Sequence, residues 1–205
     1  MKPRERKTIT LIGTPLGALF RGTTAGAVGT AAMDLLLYRR YRRGGGSQCF
    51  WKWELSGGLT DWDGAPAPAL VGKRLVEGLF EVELSPRWAR TMNNLTHWGF
   101  GKLWGGGYGL VAGSAATPPV LSGLALGTVV WGQSYVVLPL AKLYRPIWEY
   151  DAKTLAKDYS AHLVYGVTTA LTFRALTAPG RPTPEHRARR LCRCSKRREG
   201  AIAAP

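Results

Sequence analysis

Charged and apolar positions are unevenly distributed along this chain of 205 residues. Residues 103–141 contain no Asp, Glu, Lys or Arg. As one helix this stretch would extend about 58 Å, whereas a hydrocarbon core about 30 Å thick is crossed by roughly 20 apolar residues. Pro118 and Pro119 interrupt it, and proline disfavours helix both at its own position and at the residue before it. The pattern therefore predicts a hairpin of two transmembrane helices, at residues 94–114 and 120–141.

Two further segments with few charges complete the predicted bundle. Residues 16–38 carry two charged residues near opposite ends, and residues 159–178 carry only Arg174. We therefore predict an all-α integral membrane bundle of about four transmembrane helices within residues 15–178. Lys102 is costly inside a membrane and requires a partner, water or reach to the surface. A soluble bundle of buried helices is the alternative interpretation.

Glycines recur at a spacing of four residues on three of the predicted spans. In lipid, such stripes let helix backbones approach closely, whereas in a soluble helix each glycine would cost about 1 kcal/mol relative to alanine. The stripes therefore predict helix packing and leave assembly between copies of the chain open. The predicted packing residues are Gly22, Gly26, Gly101, Gly105, Gly109, Gly113, Gly123 and Gly127.

The long connection after the first span, residues 39–93, contains one further predicted helix. Residues 69–80 place Val71, Leu75 and Leu79 on one side, which is the pattern of an amphipathic helix. We expect this helix to lie on the membrane surface or to cap the bundle.

The chain is strongly basic, with a formal net charge of +15 and a pI near 10.2. Much of this charge lies in a predicted N-terminal tail, residues 1–14, and in a predicted disordered tail, residues 179–205. We expect the tails to bind the anionic lipids of a bilayer, and we do not expect a nucleic-acid partner. Four spans place both termini on the same side of the membrane. The positive-inside rule compares the Lys and Arg residues on the two sides, which are nearly equal in number here. Because residues in long loops have less weight in this rule, it favours cytoplasmic termini.

Neither a cofactor nor a metal site is predicted. The three cysteines, Cys49, Cys192 and Cys194, are odd in number and do not make a disulfide framework. The Cys-x-Cys pair lacks the second ligand pair that a zinc site needs. The sequence contains no nucleophile elbow, zincin pair or phosphate loop with its lysine, so it does not predict an enzyme.

The same topology brings polar and titratable side chains to one end of the bundle. Histidine titrates near physiological pH, and a neighbouring carboxylate changes where it does so. One hypothesis is that His97, His162, Asp34 and Asp158 meet there as a proton or cation site. The alternative is that these residues are interfacial and hydrogen-bond one another and lipid head groups. The full candidate set, in which residues three, four or seven apart share a helix face, is Asp34, Asn94, His97, Asp158, His162 and Tyr165.

Several short motifs resemble a family of bacterial inner-membrane proteins, the YagU-like family. They follow a glycine-rich first span and are Asn94-x-x-His97, Trp104-Gly105, Tyr108-Gly109, Gly123-Leu-Ala-Leu-Gly127, Leu138-Pro139-Leu140, Pro146-Ile-Trp148-Glu149-Tyr150 and Ser160-Ala-His162-Leu163-Val164-Tyr165. The resemblance covers the first span and about residues 94–173, and it does not extend to the Arg- and Cys-containing tail. It implies a small multi-pass protein of the bacterial plasma membrane and assigns no activity.

Two function hypotheses follow. The first is a structural or interaction role in the membrane, based on the glycine stripes and including a second copy of the chain as a partner. The second is proton or ion handling by the polar end of the bundle.

Overall fold

The computed structural model describes residues 14–113 and 117–178. These residues form six α-helices: α1 (Pro15–Arg43), α2 (Phe50–Glu54), α3 (Ala67–Phe80), α4 (Ala89–Ala112), α5 (Pro119–Leu140) and α6 (Ala152–Thr177). They contain no β-strand, so the all-α prediction is confirmed. Cys49 is exposed as a free thiol. The predictions for the two tails, including Cys192 and Cys194, lie outside the described residues.

The four long helices correspond to the four predicted spans, and each begins earlier than predicted. α1 also ends later, whereas α4, α5 and α6 end one or two residues before the predicted bounds. The break between α4 and α5 falls at Pro118 and Pro119, with Pro119 opening α5 where its missing N–H costs nothing. α6 begins at Ala152 rather than near residue 159, because the Asp151 side chain accepts a hydrogen bond from Thr154 N at 2.9 Å and caps the helix. Helix ends follow caps and breakers, whereas the predicted bounds followed the loss of apolar residues.

The helices form an up-down-up-down bundle in which α1 packs antiparallel to both α4 and α6, and α5 packs antiparallel to α6. α4 and α5 approach each other less closely, and large side chains fill the space between them. Trp104 and Tyr108 of α4 pack there with Leu126 and Val130 of α5 and with Tyr165 of α6. α1, α4, α5 and α6 therefore enclose a core that is bulky on one side and closely packed on the others.

The predicted glycine stripes make these close contacts within one chain. Gly22 and Gly26 of α1 face Gly101, Gly105 and Gly109 of α4. A Cβ on Gly105 would lie 2.5 Å from Gly26 Cα and 2.7 Å from Gly26 N, distances that no real side chain occupies. The stripe on α4 is tight from Gly101 to Gly109 and loosens at Gly113.

Gly113 marks that loose end, because a Cβ there would lie 3.5 Å from Ala18 Cβ, an ordinary contact. Gly123 and Gly127 of α5 pack against α6, where a Cβ on Gly123 would lie 2.7 Å from Val167 Cα. Gly166 completes this second interface from the α6 side, although the sequence pattern did not identify it.

The long connection folds against the bundle through α3. The predicted amphipathic helix is present, but a different face packs. Ala69 and Gly72 are buried against α4, whereas Leu75 and Leu79 are exposed. Small residues allow the close approach to α4, and the apolar residues Leu75 and Leu79 face outwards. The expected contact of this side with the membrane surface stays a prediction.

By length and composition, α5 is the one helix of the described residues that qualifies as a membrane span. The mean hydropathy of its best 18-residue stretch is 1.4, and 28% of that stretch is buried inside the protein. Composition therefore identifies one span among the described helices rather than the predicted four.

Candidate functional site

The closest titratable pair joins α1 to α4. His97 Nε2 lies 2.9 Å from Asp34 Oδ1 and 3.0 Å from Oδ2. Asp34 is 3% exposed. A carboxylate is buried at low cost only when it is paired and hydrogen-bonded, and an imidazole N–H supplies that donor, most strongly when the ring is protonated. The pair therefore places a titratable ring against a buried acid.

Glu54 is a third member of this end of the bundle, and sequence reasoning missed it. Its Oε1 accepts a hydrogen bond from Trp98 Nε1 at 3.1 Å. Burial raises the pKa of Glu54, and the nearby negative charge of Asp34 raises it further, against the lowering effects of Trp98 and His97. Glu54 therefore holds its proton more tightly than a free glutamate does, next to the His97–Asp34 pair.

The short helix α2 carries Glu54 to this position. The ring of Tyr38, near the end of α1, lies 5.2 Å from the ring of Phe50 and 5.4 Å from that of Trp53, measured between centroids. These aromatic contacts fold α2 back over the end of the bundle. The aromatic residues of the connection were the available signal, but a helix of five residues has no readable periodicity.

The second pair lies within α6 and is tied to α5. His162 Nδ1 lies 3.0 Å from the carbonyl oxygen of Asp158 and 3.5 Å from its Oδ1. The other carboxylate oxygen, Asp158 Oδ2, accepts a hydrogen bond from Tyr135 OH at 3.0 Å. Asp158 therefore orients the imidazole of His162 and links it to the neighbouring helix.

Both histidines line one cavity of about 410 Å³ between α3, α4, α5 and α6. Its wall is mostly apolar, with polar groups that include Gln133 and Tyr144. Burial raises the pKa of Tyr144 to about 12, helped by the charge of Asp158, so its hydroxyl stays protonated. The cavity is large enough for water, is partly open to the outside, and brings His97 and the Asp158–His162 pair to one space.

The four residues predicted to meet form two pairs rather than one cluster. Within residues 14–113 and 117–178, no three His, Cys, Asp or Glu side chains are grouped so that they would hold a metal ion. Asp34 pairs with His97 across two helices, whereas Asp158 and His162 share α6. Each histidine therefore has a carboxylate as a direct neighbour, and both rings border the same cavity.

The other two candidates lie apart from the histidines. Asn94 Nδ2 donates to the carbonyl oxygens of Leu55 at 3.1 Å and Arg90 at 3.0 Å, which fixes the connection to α4. Tyr165 is buried in the bundle, and its OH donates to Gly101 O at 2.7 Å. It shares a face of α6 with His162 but lies deeper, where α6 meets α1 and α4.

No protein-family model matches this chain, and neither a curated protein nor a solved structure is significantly similar to it. The resemblance to the YagU-like family stays a prediction from the motifs quoted above. The candidate site is defined by its geometry.

Proposed function

We propose that this chain is a small membrane protein whose helices α1, α4, α5 and α6 cross the bilayer, and that it handles protons at the end of the bundle that carries the histidines. The single observation that carries the proposal is His97, which is paired with the buried Asp34 and lines a cavity that a second histidine, His162, also lines. Handling of a metal cation is the less favoured form, because no three His, Cys, Asp or Glu side chains of the described residues are grouped so that they would hold a metal ion.

The distribution of large and small side chains supports a lipid environment. The buried positions of the four long helices are mostly Gly, Ala and Thr, whereas large apolar side chains face outwards. Phe20, Leu103 and Leu140 are 74%, 72% and 80% exposed. Without a hydrophobic driving force between helices, membrane bundles pack through small residues and present large apolar residues to lipid.

Helix dimensions and the position of Lys102 inside α4 fit the same proposal. α5 has 22 residues, which corresponds to about 33 Å and matches the thickness of a hydrocarbon core. Lys102 Nζ lies 6.0 Å from the ring centroid of Trp98, one turn towards the polar end of α4. This direction lets the lysine reach towards the membrane surface, which lowers the cost of its charge. The family resemblance extends the proposal to a bacterial plasma membrane, and the positive-inside rule is the reason for proposing that both termini are cytoplasmic.

In the proposed function, the two nitrogens of each histidine ring have different roles. His97 Nε2 donates to Asp34, which leaves Nδ1 to exchange protons with water in the cavity. His162 has the opposite arrangement, with Nδ1 directed at Asp158 and Nε2 left for exchange. Glu54, with its raised pKa, is placed to deliver a proton to the Asp34–His97 pair from the outer end of the bundle.

A structural or interaction role is the second candidate function. The glycine stripes that favoured it are packed inside one chain, but the outer face of α4 presents Leu103 and Leu110, seven residues apart, without cover. That face offers a second copy of the chain an apolar surface. If the purified protein formed dimers in detergent and showed no proton flux, the structural or interaction role would be the favoured function.

The decisive test is proton flux into liposomes that contain the purified protein and a pH-sensitive dye. His97→Gln is the informative variant, because the glutamine amide still donates to Asp34 but does not titrate. His186→Gln is the matched control, since it removes a histidine that follows α6 in the sequence, beyond the described residues. We expect flux in the wild type and the control and a loss of roughly tenfold or more in His97→Gln. Wild-type flux no greater than that of empty liposomes, or full flux in His97→Gln, overturns the proposal.

A further inference from the structure

A second cavity occupies the opposite end of the bundle, where α1 and α5 begin and α4 and α6 end. Its volume is about 530 Å³, which is within the usual range of small-molecule sites. Two arginines and several hydroxyl groups line it. They are Arg21 of α1, Tyr108 of α4, Ser122 of α5, and Arg174 and Thr177 of α6.

The charge of this cavity is positive. None of its lining residues is Asp or Glu, and the ten described carboxylates all belong to the other end of the bundle or to the connections there. Two helices begin at the cavity and two end there, so the helix dipoles largely cancel and the arginines determine the sign. The sequence that flanks the described bundle on either side is also rich in Arg and Lys.

The polar groups have the chemistry that recognises phosphate. Guanidinium groups bind phosphate oxygens in pairs of parallel hydrogen bonds, and hydroxyl groups donate to the remaining oxygens. The Tyr108 and Ser122 hydroxyls lie 2.8 Å apart on the α4–α5 side, and Ser122 Oγ donates to Pro119 O at 3.2 Å, so Tyr108 donates to Ser122. Rotation of either hydroxyl away from its present acceptor would direct its hydrogen to a phosphate oxygen. The Phe173 ring supports Tyr108 edge-on, with 5.7 Å between centroids.

We propose that this cavity binds a phosphate group, with Arg21 and Arg174 neutralising its charge and the Tyr108–Ser122 pair orienting it. The phosphate belongs either to a phospholipid head group at the membrane surface or to a soluble phosphate. The site is independent of the histidine pairs and stands whether or not they move protons.

The experiment measures binding to the full chain in detergent. One arm compares the binding of phosphatidylglycerol and phosphatidylcholine by native mass spectrometry. The other arm titrates the protein with inorganic phosphate, or with chloride at equal ionic strength, and measures the increase in melting temperature. The test variant is Arg21→Gln with Arg174→Gln, and the control is Arg145→Gln, an exposed arginine at the other end. We expect binding by the wild type and the control and a weakening of about tenfold or more in the test variant.

The two arms distinguish the sources of phosphate. Binding of phosphatidylglycerol without inorganic phosphate identifies a lipid head group, and binding of both identifies a site open to soluble phosphates. Both tails are retained in every variant, so anionic lipid that stays bound to the double variant belongs to the tails. That result, or no binding in either arm, overturns the proposal. If the double variant does not fold, the test variant is Arg174→Gln alone, because Arg174 is exposed in the last turn of α6 and its substitution should not disturb folding. Full binding by Arg174→Gln would then overturn the proposal.

Discussion

Gly105 lies where α1 and α4 come closest, and the substitution Gly105→Ala tests whether this contact determines the spacing of the two helices. The added methyl group would lie 2.5 Å from Gly26 Cα and 2.7 Å from Gly26 N. Both atoms belong to the backbone, so no side chain can rotate to make room. Since carbon atoms pack at about 3.5–4.0 Å, the helices must separate by about 1 Å.

Gly107→Ala is the matched control, because it lies on the same helix and has nothing within 4 Å of its Cβ position. Both substitutions gain helix propensity of about 1 kcal/mol, which cancels when the two variants are compared. The difference therefore reports the contact alone. Overpacking costs about 1–3 kcal/mol, and we expect about 3 kcal/mol here because the obstructing atoms cannot move aside.

The measurement is the free energy of unfolding, followed by tryptophan fluorescence as the detergent-solubilised protein is titrated with a denaturing detergent. Gly107→Ala should be as stable as the wild type or more so, and Gly105→Ala clearly less stable. Equal free energies of unfolding for the two alanine variants would show that the contact does not limit helix spacing, and the packing described for α1 and α4 would be wrong.

Two further substitutions test polar contacts next to the α1–α4 interface. Burial and the charge of Asp34 raise the pKa of Glu54 above its ordinary 4.5, so the folded state binds this proton more tightly than the unfolded state and loses stability as pH rises above that value. Glu54→Gln keeps an acceptor for Trp98 and should reduce the loss of stability with rising pH, measured as the free energy of unfolding at a series of pH values. Glu83→Gln is the control. The same pH dependence in the wild type and Glu54→Gln would contradict this prediction. Tyr165→Phe removes the hydrogen bond to Gly101 O and should cost about 1 kcal/mol without changing proton flux; a loss of flux would return Tyr165 to the site.

The sequence predicted the features of the fold that depend on short-range chemistry. The lengths of the segments with few charges predicted the four long helices, and Pro118 and Pro119 predicted the break between α4 and α5. The spacing of the glycines indicated close packing, because a stripe of residues without side chains has few other uses. Which stripe faces which helix was not predictable, since that depends on how two surfaces fit rather than on either surface alone.

The candidate site was predicted in part for the same reason. The end of the bundle that carries His97 and His162 followed from counting spans, but the division into two pairs depends on the rotation of each helix. Ring contacts between segments that are distant along the chain position Glu54. The local sequence of α2 therefore does not predict its place in the site. Tyr165 shares a face with His162 yet lies about two turns from Asp158, which places it in the packed core.

The His97–Asp34 pair continues the glycine interface by one more step of four residues. Along α1 the contacts run from Gly22 and Gly26 through Thr30 to Asp34, and along α4 they run back through Gly105 and Gly101 to His97. The separation that fits a glycine against a glycine is therefore also the separation that sets the 2.9 Å contact of the pair. Moving the helices apart by about 1 Å would stretch this contact beyond hydrogen-bonding distance. Gly105→Ala should accordingly reduce proton flux together with stability, and Gly107→Ala neither; a Gly105→Ala protein with full flux would mean that the pair does not depend on the packing beneath it.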